Sequence, residues 1–414
     1  MLAEKSDDIL KFVRGQFPTL ASEWVFMDNA GGSVPLARVI ERTARYMTEC
    51  PVQLGASYEV SALAQQRLDT AMDALATFTN AREPAEIISG PSTSSLISRL
   101  SRAMASRLVE GDEIIVTNVD HEANISPWLR LQSQGITVNT WKLNLESMRL
   151  ELDDLADLMT ERTRLVCFTH ASNVLGNIEP VAEITRFVHE HGADVCVDGV
   201  AYAPHHEIDV QAWDVDYYVF SLYKVYGPHQ AVMVGKRNKL EALENINHCF
   251  FKPDDVPAKF QPGGMNYEES YASGAVPEYY SELGALAGAA AGAGDRERIV
   301  AAAGWMSRHE EDIVTPLLEF LDAREGVRII GSPSPFSSVR TPTVSFVLEK
   351  HDSASIPPLT DRHKIAIRWG HFYAPRLIEY LGLAGQNGVV RASLVHYNSR
   401  DEVMQLIRVL DEIL

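Results

Sequence analysis

Between residues 112 and 235 the chain alternates between two hydrophobic rhythms. Apolar runs of strand length fall at 112–117, 136–141, 164–169, 194–198, 215–221 and 230–235. Stretches with the spacing of amphipathic helices, such as 151–160 and 179–191, separate most of them. A strand with one wet face alternates apolar and polar positions; most of these runs do not, so both their faces are expected to be covered. Continuous apolar strands between helices predict a mostly parallel sheet in an α/β fold. Ligands of such sheets bind beyond the carboxyl ends of the strands.

The flanks follow other rhythms. Residues 5–16 read as a short helix, and Val25-Phe26-Met27 as a strand running into the turn Asp28-Asn29-Ala30-Gly31-Gly32. Helices are predicted near 36–48 and 60–80. Residues 250–280, rich in Pro, Gly and Tyr, read as a long functional loop. A helix from 278 to 323 follows, with a break near Gly294. Its Gly284, Gly288 and Gly292 recur every four residues, which puts them on one face open to close packing. The last third predicts a smaller α+β unit with strands at 327–331, 342–348, 364–368 and 389–395. Its final helix opens on the capping box Ser399-Arg400-Asp401-Glu402. The expected division is an N-terminal segment, 1–20, packing with the small domain, a large domain, 21–285, and a small C-terminal domain, 286–414. No internal repeat is visible.

Composition narrows the function. The 414 residues are 46% hydrophobic and 22% charged, which excludes disorder. The formal net charge of -19 argues against nucleic acid or an anionic membrane as the main partner. No apolar run approaches the ~18 residues of a membrane span, and Met1–Phe12 lacks the apolar core of a signal peptide, so a cytoplasmic location is expected. Cys50, Cys167, Cys196 and Cys249 are scattered, without the spacing of a zinc site or a disulfide framework, and no metal is expected.

The chemistry lies in an ordered set. Asp198 ends an apolar strand, and Lys224 stands 26 residues on, directly after another. An acid and a lysine at the ends of two sheet strands suit pyridoxal 5'-phosphate: the amine forms a Schiff base with the aldehyde, and the acid keeps the pyridine nitrogen protonated. Gly90-Pro91-Ser92-Thr93-Ser94-Ser95 precedes a helical run, Leu96 to Leu108, and a helix N-terminus with hydroxyls suits a phosphate. Ser221 adds a hydroxyl three residues before the lysine. His121, after the strand ending at Thr117, offers a ring to stack on a flat cofactor, and Asn173 offers an amide to cofactor or substrate. Arg391 sits inside an apolar strand, where a guanidinium is costly unless paired, and a substrate carboxylate is a suitable bidentate partner. Singly, each has a plainer reading: a strand-end turn acid, a surface lysine, a Ser-rich cap, a packed histidine, a turn asparagine, an internal ion pair. Ser221-x-x-Lys224 also matches the Ser-x-x-Lys of penicillin-binding enzymes, but their Ser-Asp-Asn and Lys-Thr-Gly partners are absent.

Over nearly its whole length the chain resembles fold-type I pyridoxal-phosphate enzymes of aminotransferase class V, nearest the SUF-type cysteine desulfurases. Asp28-Asn29-Ala30 resembles that family's Asp-Asn-Ala turn, and Gly90–Ser95 takes the place of its phosphate loop. Asp120-His121-Glu122-Ala123-Asn124 resembles Glu-His-His-Ala-Asn, which implies ring stacking by His121. Ser172-Asn173-Val174-Leu175-Gly176 is the same string. Val197-Asp198-Gly199 implies a pyridinium partner in Asp198, and Phe220-Ser221-Leu222-Tyr223-Lys224 resembles Phe-Ser-Gly-His-Lys, which implies that Lys224 carries the cofactor. Arg391-Ala392-Ser393-Leu394 with Tyr397-Asn398 implies carboxylate binding by Arg391. The resemblance further implies a mostly parallel seven-stranded-type sheet, a homodimer with shared sites, an amino-acid substrate, cofactor contacts from Ser92, Thr93, Tyr223 and Gly264, and substrate contacts from Asn29, Asn173, Arg368 and Tyr373.

The departures from that pattern bear on the reaction. The family's catalytic cysteine lies in Arg-x-Gly-His-His-Cys-Ala; here the segment reads Arg368-Trp369-Gly370-His371-Phe372-Tyr373-Ala374. A phenol cannot form a persulfide. The family's glutamine three residues after the acid is Ala201, and its Arg-Phe-Glu-x-Gly-Thr loop reads Lys259-Phe260-Gln261-Pro262-Gly263-Gly264, which keeps a backbone contact at Gly264 without the threonine hydroxyl. Lacking the thiol, the chain is expected to cleave a C–S bond of a cysteine-type substrate by β-elimination. Epimerisation and transamination are the alternatives on the same fold, and a cofactor-free binding protein is the alternative of another class.

Overall fold

The computed structural model describes residues 2–349 and 351–414. A short strand, β1, Val25–Phe26, precedes the main sheet. The main sheet is built from β2, Ile87–Gly90, β3, Glu113–Thr117, β4, Thr137–Trp141, β5, Thr163–Thr169, β6, Asp194–Asp198, β7, Tyr217–Ser221, and β8, Ala231–Gly235. Their order is β2-β8-β7-β6-β5-β3-β4. The pairings from β4 through β7 are parallel, and β8 runs antiparallel to both neighbours. The α/β class and the mostly parallel sheet of the sequence reading are present. β2 is an addition to the predicted strands: four residues ending in Gly90 carry too little pattern to be read.

The apolar runs have the expected physical cause. Ile115, Val166 and Phe168 enter the core on one face of the sheet, while Ile114, Val116, Leu165 and Cys167 enter the core on the other. Consecutive residues of a strand point to opposite faces, so a doubly covered strand must be apolar throughout.

A second sheet comprises β9, Val327–Ile330, β10, Thr343–Leu348, β12, Arg368–Gly370, and β13, Val389–Ser393, in the antiparallel order β12-β13-β10-β9. The single strand expected at 364–368 is divided: β11, Ile365–Ala366, pairs in parallel with β1, and β12 pairs with β13. This division brings residues 25–28 from the start of the chain against the small sheet, where Asp28 bridges Ser393.

The long helix also divides, into Ala275–Ala287 and Asp295–Asp322. Of its three spaced glycines, Gly284 makes the close approach: a Cβ there would lie 1.8 Å from the Arg298 carbonyl oxygen. Gly288, at φ 108°, ends the first helix in a left-handed cap, a conformation that favours glycine. The stretch 250–280 contains the helix Tyr267–Ser273 and the start of the next. Along the second helix, Ile299 to Met306 join the core of the main sheet and Ile313 to Leu321 that of the small sheet. The N-terminal helix, Leu2–Gly15, also serves both parts. Ile9 and Val13, with Phe17 beyond it, enter the larger core, while Arg14 reaches the Tyr397 carbonyl and Glu402, both at 2.8 Å.

Candidate active site

The carboxyl ends of β2, β3, β5, β6 and β7 open on one cleft of about 500 Å³, part of it open to solvent. Ser92, Thr93, Ser94, His121, Asn173, Asp198, Ser221, Tyr223 and Lys224 line it, together with Ala123, Thr169, Ala171, Val200 and Ala201. Residues far apart in sequence meet because each follows or ends a strand of the same sheet.

One end of the cleft suits an anion. Ser92 caps the helix Thr93–Ala105, its Oγ accepting the Ser95 N–H at 3.1 Å. The first N–H groups of a helix lack intrahelical partners and carry its positive end. Thr93 Oγ1 and Ser221 Oγ lie 2.8 Å apart, tying this helix to the end of β7. The ring of Tyr223 stacks on His229 at 4.9 Å and borders the same end.

The middle holds an acid and an amine. Asp198 is buried, with Oδ1 accepting the Val200 N–H at 2.9 Å. Burial pushes its carboxyl up to about 6, against the pull of that N–H and of Lys224. Lys224, in the single turn Leu222–Lys224, is buried too. Burial first and Arg391 second bring its ammonium down to about 8, with Asp198 opposing. Nδ1 of His121 accepts the Ala123 N–H at 3.0 Å, which leaves Nε2 as the protonated nitrogen of the neutral ring. Burial and the Lys224 charge lower the imidazole to about 4. Beneath it, Asp120 receives Thr117, Asn124 at 2.6 Å and the Thr169 N–H at 3.1 Å, so it braces the turn that presents His121.

Arg391, 1% exposed, lies behind the cleft lining, next to Asn173, which does line it. Its Nη1 donates to the Asn173 carbonyl at 3.0 Å and its Nη2 to Asp28 at 3.1 Å. The Phe372 ring covers the guanidinium at 3.7 Å from the ring centre. Nε is buried and has no hydrogen-bond partner among the described residues, a donor left unsatisfied. Arg368 also grips Asp28, through Nε at 2.7 Å, and stays half exposed. Tyr373 stacks on His121 with ring centres 5.2 Å apart and is 67% exposed.

Two of the expected contact residues make hydrogen bonds within the chain. Asn29 is committed inside the protein: Nδ2 faces the carbonyls of Phe26 and Ser393 at 3.1 and 2.9 Å and Oδ1 of Asn398 at 3.2 Å, while its own oxygen receives the Tyr397 hydroxyl. It ties β1 to the small sheet. Gly264, whose expected backbone contact is to the neighbouring subunit's phosphate, sits in a turn where its N–H donates to the Gln261 carbonyl at 2.8 Å. Lys259 is likewise turned inward, onto the carbonyls of Glu241 and Leu243 at 3.1 and 2.8 Å. Three contributors were not among the expected site residues: Thr169, beside Asp198 in the β5–β6 register, Asp28, which joins the two arginines, and Phe372.

The donor set suits pyridoxal phosphate: a hydroxyl-lined helix start for the phosphate, a buried acid for the ring nitrogen, a flat imidazole for the ring and a buried amine for the aldehyde. Among the described residues, no cluster of His, Cys, Asp and Glu could hold a metal ion, and no helix is long and apolar enough to cross a membrane.

The aminotransferase class-V family profile matches residues 25–406. The chain is 39% identical to the aminotransferase-like protein FGM3 of Gibberella zeae, over 97% of this chain and 98% of that protein. It is 32% identical to a cysteine desulfurase of Cronobacter sakazakii, over 96% of each. Its fold is similar to that of the cysteine desulfurase CsdA of Escherichia coli, with a TM-score of 0.82 and 26% identity over 97% of this chain and 98% of that one.

Proposed function

Because the chain belongs to the aminotransferase class-V family, whose members use pyridoxal phosphate, we propose that this pyridoxal-phosphate-dependent enzyme cleaves the C–S bond of a cysteine-type amino acid by β-elimination. When bound, the cofactor supplies an aldehyde that condenses with an amine and a protonated ring that withdraws electrons from the substrate α-carbon. Ser92, Thr93 and Ser221 would hold the phosphate, Asp198 the ring nitrogen, His121 the ring face and Lys224 the aldehyde. Arg391 binds the substrate carboxylate through its unpartnered Nε edge, and Asn173 fixes the far side of that guanidinium. Lys224 Nζ would also take the substrate's α-proton. The lowered proton affinity of that amine makes its neutral form available near pH 8. The sulfur then leaves Cβ with the bonding pair, and the released 2-aminoacrylate hydrolyses to pyruvate and ammonia.

The observation that carries elimination over desulfuration is Tyr373, a phenol in the lobe where the family pattern has its thiol. A sulfur acceptor must be a reactive, accessible thiolate. Cys50, Cys167 and Cys196 are buried, and exposed Cys249 does not line the cleft. Product analysis with cysteine and S-substituted cysteines is the test. Free sulfide or a small thiol, matched by pyruvate and ammonia, is expected. Stoichiometric alanine, abolished by Cys249→Ser, would restore a desulfurase with a relocated thiol. Inversion at Cα, or a keto acid formed without ammonia, would turn the reading to an epimerase or an aminotransferase. The assembly in this reading is a homodimer, as the family resemblance implies.

A further inference from the structure

The turn that carries Lys224 is gripped from both sides by a distant segment, residues 33–36. Ser33 Oγ donates to the Tyr223 carbonyl at 3.0 Å and accepts the Tyr226 N–H at 3.0 Å. The Ser33 N–H donates to the same Tyr223 carbonyl at 3.2 Å, and the Leu36 N–H to the Tyr226 carbonyl at 3.0 Å. One hydroxyl thus closes on the residue before the lysine and on the second residue after it. Tyr226 needs the grip, because its φ of +65° lies in the left-handed region, disfavoured for a residue with a side chain.

The segment is itself anchored. Asp28 is held by Arg368 and Arg391, Asn29 by Ser393 and Asn398, and the Ala30 N–H by Ser393 Oγ at 2.8 Å. Gly31 permits this: a Cβ there would lie 2.5 Å from Arg368 Nη2. From Asp28 to Leu36 the chain is therefore a short strap, fixed at one end to the guanidinium site and at the other to the lysine turn.

We propose that Ser33 is a positioning residue for Lys224: its hydroxyl holds the Tyr223–Tyr226 turn so that Nζ stays buried in the cleft. The proposal rests on the reading of Lys224 as the cofactor-holding amine. The charged and titratable groups around that amine are Asp198 of β6, Asp28 of the strap, Arg391 of β13, Arg368 of β12, His121 after β3 and Tyr223 beside it. Ser33 carries no charge, so its loss acts through position and not through a removed charge.

The test uses the whole chain. Cofactor-stripped protein is acetylated with limiting acetic anhydride across pH, and the Lys224 peptide is quantified by mass spectrometry. Labelling of the native chain should have its midpoint near 8, set by burial and Arg391. In Ser33→Ala the loosened amine regains water, and the midpoint rises by about half a pH unit or more toward the ordinary lysine range. The loaded variant should lose about fivefold or more in kcat with KM within about twofold, the pattern of misplaced chemistry with intact binding. Ser33→Thr, which keeps the hydroxyl, should restore both readouts. An unchanged midpoint in Ser33→Ala, or a threonine that restores neither, overturns the proposal. If Ser33→Ala does not fold, Ser33→Cys is read in the same way. The function reading fails separately, if Lys224→Ala still retains a borohydride-reducible cofactor adduct.

Discussion

Arg391→Lys isolates what a fork-shaped cation does at the carboxylate end of the cleft. In the native chain Nη1 is spent on the Asn173 carbonyl and Nη2 on Asp28, and the face lies against Phe372. The Nε–H is left without a partner among the described residues and is the donor the proposed reading assigns to the substrate carboxylate. Lysine keeps the charge and can still pair with Asp28, but it offers one compact ammonium on a flexible stem. One charge-assisted hydrogen bond to the substrate is lost, worth about 1.5–3 kcal/mol. At about 1.4 kcal/mol per tenfold, KM should rise roughly 10- to 150-fold. kcat should fall much less, because Lys224 and Asp198 are untouched. The assay compares steady-state KM for a cysteine-type substrate with the dissociation constant of its decarboxylated amine, in native and variant enzyme. The native enzyme should prefer the amino acid strongly, and the variant should lose most of that preference. A variant whose KM stays within twofold, with preference intact, would refute the assignment of the carboxylate to Arg391.

Asp198→Asn keeps an acceptor for the Val200 N–H but removes the negative charge. Turnover should fall about 100-fold, or about 2.7 kcal/mol, while apoprotein titration shows a smaller loss of cofactor affinity; near-native turnover would dismiss the electron-sink role. Arg340→Met tests a buried cation with no acidic partner, whose guanidinium serves the carbonyls of Ser332, Thr341 and Thr343 against the loop containing Gly176. Stranding those acceptors should cost about 3 kcal/mol, visible as a drop of several degrees in a thermal melt, and an unchanged melting temperature would show that the carbonyls find other donors.

The residues of the cleft were readable in the sequence because their position is local. An acid that ends an apolar run, or a lysine just beyond one, stands at the carboxyl edge of a parallel sheet whatever its neighbours are. The partners of those residues were not readable. Asp28 meets Arg391 across 363 positions, and the Ser33 hydroxyl meets the Tyr223 carbonyl across 190. Both encounters depend on β1 pairing with β11, a two-residue contact with no pattern of its own. The same limit applies to the hydrogen bonds of Asn29 and Gly264. A resemblance places a residue in a motif, whereas its hydrogen bonds are settled by what packs around it. In this chain the Asn29 amide is exhausted by the small sheet, and the Gly264 N–H by its own turn.

The lobe that carries Tyr373 shows why the missing thiol is more than a single exchange. Phe372 and Tyr373 both hold positive φ, 49° and 58°, a conformation costing about 1–2 kcal/mol for each residue with a side chain. Contacts to the large sheet offset that strain: Asn173 Nδ2 donates to the Phe372 carbonyl at 2.8 Å, and the Glu122 N–H to the Tyr373 carbonyl at 2.7 Å. Arg376 adds a two-pronged ion pair to Glu122 at 3.1 and 3.2 Å. The lobe is thus fastened by its backbone, independently of what its side chains do. Its two rings then use that fixed frame for cover, Phe372 over the Arg391 guanidinium and Tyr373 over the His121 imidazole. A thiol held in such a frame would face the substrate as a nucleophile. The phenol in the same frame offers sulfur no such acceptor, which is why the proposed reaction releases its sulfur as a small molecule.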